Sequence, residues 1–186
     1  MDQPIAGTQL LDAAEELFYA RGIQAVGMDE VRAAAGISLK RLYQLHPSKE
    51  QLVEAFLERR DLRWRGSLAA HVDTVTDPAG RILAVFDWMR AWFEEPGFRG
   101  CAWINAHGEL GATSPGVARQ ARRHKQAFRD YLGGLVADAG LPPSTADHLV
   151  LLAEGAMAVG GISHTSTPAV QAKDAARVLI AAASTT

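Results

Sequence analysis

Cysteine is almost absent from this sequence: among its 186 residues there is one, Cys101. A single thiol excludes an internal disulfide and any multi-cysteine zinc site. Long apolar runs are missing as well. No stretch approaches the roughly 18 apolar residues that a membrane span requires, so no membrane partner is expected. The opening Met1-Asp2-Gln3-Pro4 has neither the basic start nor the apolar run of a secretory signal, and the cytoplasm is the expected compartment. A large charge of one sign is lacking too. The formal net charge is −2, and even residues 1–65 carry nine Lys and Arg against ten Asp and Glu. Bulk electrostatics therefore do not announce a nucleic-acid protein. Any such reading must rest on where the basic residues stand.

What is present is an ordinary globular composition, 48% hydrophobic and 22% charged, in a chain long enough to bury a real core. Almost every segment has helical periodicity. Leu10, Leu11, Ala14, Leu17 and Phe18 recur at helical spacing, and Gly22 follows as a stop. A short helix follows Gly27, with Asp29 and Glu30 in its first turn, where acidic groups suit the helix dipole. Met28, Val31 and Ala35 form its inner face. Ser38 is a good N-cap for a third helix, Leu39 to Leu45, which His46-Pro47 ends. Ser48-Lys49-Glu50-Gln51 has the form of a capping box opening a long fourth helix that reaches Val75.

Beyond it, helices are expected over 78–93, 116–139, 144–162 and 168–183, with a compact segment from Cys101 to Leu110. Glu95-Pro96-Gly97 and Gly140-Leu141-Pro142-Pro143 are breaks. There is no internal repeat and no defensible strand pattern. The fold class is all-α: an N-terminal three-helix domain over 1–48, and a larger helical domain over 49–186.

The informative unit is 25–52. Two short helices meeting at Ala35-Gly36-Ile37-Ser38 suit a helix-turn-helix, whose second helix enters the DNA major groove with its first residues at the base edges. Those residues are Leu39, Lys40, Arg41 and Gln44. Arg and Lys suit guanine acceptors, and Gln suits adenine. Ser38, Tyr43 and Lys49 suit phosphate oxygens. Leu42 and Leu45 face the domain's own core. A helical corner in an unrelated all-α protein is the bland alternative.

Leu42-Tyr43-Gln44-Leu45-His46-Pro47-Ser48-Lys49-Glu50-Gln51-Leu52, preceded by Ala35-Gly36-Ile37-Ser38, resembles the DNA-binding signature of TetR-type repressors. The upstream Phe18-Tyr19-Ala20-Arg21-Gly22 also matches that family's first helix, and the resemblance covers roughly residues 8–56. It implies that Tyr43 and Lys49 clamp the phosphate backbone while Lys40, Arg41 and Gln44 face the groove. It also implies a homodimer joined through the last two helices, a palindromic double-stranded operator, and a small-molecule effector that changes the separation of the two DNA-reading heads. Three positions depart from the pattern. Gly27 stands where Thr is usual, His46 replaces an aromatic that is usually Phe, and Arg32 occupies a position that is commonly Ala.

The remainder carries no comparable signature. Trp64, Phe86, Met89, Trp103, Phe128 and Met157 are large enough to line an apolar pocket, and the same residues at helical spacing also suit a plain core. Asn105, His107 and Glu109 stand among apolar residues, where they could supply the few polar groups that orient a ligand. An aromatic or lipophilic effector is the expectation. An all-α enzyme using Asn105, His107 and Glu109 is the rival reading, and an interaction module keeping the helix-turn-helix as scaffold is another. Cys101 has only Arg99 nearby and reads as buried and inert. No metal-ligand spacing, glycine-rich phosphate loop or Ser/His/Asp set is present, so no cofactor or metal is expected. The final helices hold many small residues, among them Gly155, Ala156, Gly160, Ala175 and Ala176, beside Leu149, Leu152, Val178 and Ile180. That composition suits a four-helix dimer interface.

Overall fold

The computed structural model describes residues 3–184, with side chains from Ile5 onward, and among them the fold is all-α. The helices are α1 (Gln3–Arg21), α2 (Met28–Ala34), α3 (Leu39–Leu45), α4 (Lys49–Val72), α5 (Pro78–Phe93), α6 (Ala102–Leu110), α7 (Pro115–Asp138), α8 (Ser144–Ser163) and α9 (Thr167–Ala183). The compact segment after Cys101 is thus a helix. α4 stops at Val72 rather than Val75, because residues 73–77 form a turn before Asp77, whose carboxylate accepts from Gly80 N–H at 2.6 Å and caps α5.

The chain forms two compact units, residues 1–62 with 102–123, and residues 63–101 with 124–186. The 1–48 segment lies wholly within the first unit, together with the start of α4, all of α6 and the start of α7. Its core is built from Leu10, Ala14 and Phe18 of α1, Val31 of α2, Leu42 of α3, and Leu52, Val53, Phe56 and Leu57 of α4, all buried. Phe18 and Phe56 meet with ring centroids 6.1 Å apart. Trp103, Ala106, Val117 and Ala121 are buried in the same unit.

The second unit encloses an aromatic cluster. Trp64 stands edge-on to Trp88, Trp92, His124 and Phe128, with centroids 5.0–5.8 Å away. T-shaped pairs at such spacing set the positive ring edge against the negative face. α8 and α9 form a hairpin whose tight link puts His164 in the left-handed region, at φ 53°. α9 is tied to α5 by Lys173, whose Nζ lies 2.5 Å from both carboxylate oxygens of Asp87.

Candidate nucleic-acid interface

The turn between α2 and α3 is made by local chemistry. Gly36 adopts φ +65°, a left-handed conformation that costs glycine little, and it lets Ile37 N–H reach back to the Arg32 carbonyl at 3.3 Å. Ile37 drops into the core, and the chain re-enters helix at Ser38. The Ser38 Oγ accepts from Arg41 N–H at 3.2 Å. Its hydroxyl proton remains available to donate outward. Ser48 repeats the device at the start of α4, accepting from Gln51 N–H at 3.2 Å.

α3 is thereby oriented with one residue, Leu42, fully buried. Leu39, Lys40, Tyr43 and Gln44 are exposed, while Arg41 is half-buried and reaches Gln44 Oε1 at 3.5 Å. Leu45 is half-buried. Lys49, at the start of α4, is half-buried with its ammonium 5.8 Å above the Phe18 ring. The seven residues expected to meet DNA thus lie on α3, at its N-cap Ser38, and at the first residue of α4, Lys49.

The weak net charge is resolved by pairing. Asp12 and Glu15 bind Arg59 at 2.8 and 3.2 Å, and Glu15 also binds Arg60 at 2.6 Å. Asp29 binds Arg32 at 3.2 Å, and Glu30 binds Arg21 at 3.0 Å. Glu54 and Glu58 face Arg119 and Arg123 at 3.6 Å. These carboxylates are offset where they stand, and α3 carries Lys40 and Arg41 with no acid of its own. The cationic character is thus read from the placement of Lys40 and Arg41 on α3, not from the net charge.

Residues 10–56 match the family model described as bacterial regulatory proteins, tetR family. The crystal structure of a TetR-family transcriptional regulator from Streptomyces coelicolor superposes with a TM-score of 0.88 at 30% identity, covering 97% of each chain. This chain belongs to the TetR family. An uncharacterized HTH-type transcriptional regulator of Mycobacterium tuberculosis is 31% identical over 135 residues, 69% of this chain and 64% of that protein. The HTH-type transcriptional activator FasR of Mycolicibacterium smegmatis is 34% identical over 138 residues, 72% of this chain and 60% of its own length. The chain thus spans a little under two thirds of these curated relatives.

The three departures from the TetR pattern are each accommodated. Gly27 has no side chain to cap α2, and the Glu30 carboxylate instead accepts from Gly27 N–H at 2.9 Å. That bond, followed by the one from Arg21, holds the Glu30 carboxyl below its usual range. Arg32 is engaged by Asp29. His46 is half-buried, and desolvation pushes its pKa below the ordinary imidazole value.

The expected ligand-contacting residues divide between the two units of this TetR-family chain. Trp64, Phe86, Met89, Phe128 and Met157 are all buried in the second. Trp103 is buried in the first, where Asn105 and His107 are exposed on α6. The enzymatic constellation is not formed. Asn105, His107 and Glu109 follow one another at two-residue steps on a helix, so His107 diverges from the other two.

Glu109 is committed elsewhere. Its two carboxylate oxygens accept from Ile23 N–H at 3.0 Å and Gln24 N–H at 2.8 Å, and Gln24 Nε2 donates to the Glu109 carbonyl at 2.6 Å. Gly22, at φ +89°, lies so close that a Cβ there would be 3.3 Å from both carboxylate oxygens. This clamp on the α1–α2 turn escaped the sequence reading, which has no local signal for a bond across 86 residues. A second unforeseen contact joins Lys125 Nζ to the buried Cys101 Sγ at 3.2 Å, with Lys125 also paired to Glu154.

Proposed function

We propose that this chain is a ligand-responsive, DNA-binding transcriptional regulator that works as a homodimer and leaves a palindromic operator when a small molecule binds. The observation that carries the reading is the outward face of α3, where Lys40, Tyr43 and Gln44 are exposed around a helix anchored by Leu42. In this reading residues 1–48 bind DNA, and residues 49–186 bind effector and dimerise. Lys40, Arg41 and Gln44 meet base edges with Leu39, while Ser38, Tyr43 and Lys49 hold phosphates. Two heads related by a dyad read half-sites on one face of the duplex, separated by one or more helical turns. The compartment is the cytoplasm, and the chain performs no catalysis.

Dimerisation is supported by an apolar stripe. On α8, Leu151, Val159 and Ile162 are exposed to 70%, 54% and 82%, and on α9 Val170 and Val178 to 42% and 69%. Gly155 and Ala158 are exposed between them, which permits close helix approach. A groove lined by Leu151, Gly155, Val159 and Pro168 continues the same face. A monomer would leave this surface in water.

The effector site is assigned to the second unit, at Trp64, Phe86, Met89, Phe128 and Met157. Trp103, Asn105 and His107 remain secondary candidates. The Trp64 cluster is closely packed, so an aromatic or lipophilic effector is the class that could separate its rings and restore the contacts it breaks. Linkage requires operator binding to weaken effector binding by the same factor.

The test is in vitro selection of duplexes from a random library near physiological salt. Enrichment of a palindrome is expected, and Arg41→Ala/Tyr43→Ala should bind it roughly a hundredfold more weakly. A folded, ligand-free dimer that enriches nothing would end the proposal. Activation is a second reading, favoured by the name of the FasR relative. Transcription in vitro from an operator-bearing template separates the two by the sign of the effect.

A further inference from the structure

We propose that Leu39 sets part of the operator sequence by packing against the C5 methyl of a thymine, so that each half-site carries thymine at one fixed position. The inference rests on the reading of α3 as the groove-entering helix and sharpens it.

Successive residues of a helix project about 100° apart. With Leu42 fully buried, the centre of the outward face falls at Lys40 and Gln44, and Leu39 shares one flank with Tyr43, four residues on. Leu39 is 42% exposed, whereas Leu42 is fully buried. A single exposed leucine is ordinary on a protein surface. Its position is what matters here. It is the first residue of α3, the end that reaches deepest into the groove, whereas Tyr43 stands one turn later toward the backbone.

Lys40, Arg41 and Gln44 can replace the water they displace from base edges with hydrogen bonds. Leu39 cannot. Pressed against a guanine acceptor or a cytosine amino group, it would desolvate a polar atom without satisfying it. The major-groove edge offers one apolar group that avoids this cost, the thymine methyl. The leucine therefore selects thymine both by contact and by rejecting the polar alternatives.

The test uses the operator recovered by selection. Each thymine of a half-site is replaced singly by deoxyuridine, which removes the C5 methyl and nothing else, and affinity is read by fluorescence anisotropy. One position, symmetric in the two half-sites, should lose about fourfold in affinity per methyl removed. Leu39→Ala should bind the thymine and uridine duplexes equally. The substitution is at an exposed site in a helix that favours alanine, so an unchanged melting curve is expected. Repeating the selection with this variant should erase the preference at that position and retain those at its neighbours. Indifference of every position to the methyl, or equal sensitivity in Leu39→Ala, would overturn the assignment while leaving the regulator reading intact. Failure of the unaltered protein to recover any operator would remove both.

Discussion

At His46 the head carries a titratable ring where the TetR pattern has phenylalanine. Burial lowers its pKa in the folded chain, so the imidazole stays neutral there at pH values where the unfolded chain has begun to bind a proton. Stability contributed at this site is fully present above about pH 6.5 and is lost as pH falls from there toward the lower folded value. Thermal melts followed by circular dichroism should therefore show the difference between His46→Phe and the parent chain growing in favour of phenylalanine as pH drops from 7 to 5. A pH-independent difference would mean that the ring titrates as freely in the fold as outside it. The same scale holds the signals that sequence reads well. Ser38, Ser48 and Gly36 act on their own neighbours within three to five residues, and each does what its residue type predicts.

Among the elements, α6 is the one whose role the tertiary structure changed. Its apolar residues Trp103 and Ala106 are buried, and its last turn holds the α1–α2 turn through Glu109. Removing that carboxylate strands the Ile23 N–H in a partly buried site and leaves the exposed Gln24 N–H to solvent. Glu109→Ala should destabilise the protein by about 2 kcal/mol, lowering the melting temperature by roughly 4–8 °C. Glu109→Gln keeps one acceptor oxygen and should fall between. If Glu109→Ala melts with the parent, the clamp does not stabilise the head. α3 responds differently. Its seven residues are too few to be stable alone, and its geometry comes from Ser38, the Gly36 turn and the packing of Leu42.

For the whole molecule, the deciding quantity is the uncovered apolar face of α8 and α9. Leu151 and Ile162 are exposed, so aspartate at either position leaves the folded subunit with little to lose. In the proposed dimer each change counts twice. Leu151→Asp/Ile162→Asp should raise the dimer dissociation constant at least about a hundredfold, read by sedimentation velocity, with helicity unchanged. A persistent dimer would move the interface to another surface.

The sequence by itself determined the helices other than α6, the helix-turn-helix and the family resemblance. Caps, glycine stops and hydrophobic periods act over a few residues and survive without knowledge of the fold. Only the tertiary structure decided how the carboxylates are spent: Glu15 on Arg59 and Arg60, Glu30 on Arg21, Glu109 on the amides of Ile23 and Gln24. It likewise decided that Asn105 and His107 face outward while Trp64 is enclosed by rings from two other helices, α5 and α7. These pairings join residues far apart in the chain. A charge or an aromatic ring is legible as a residue type, but its partner is chosen by packing, which brings together positions that no local period connects.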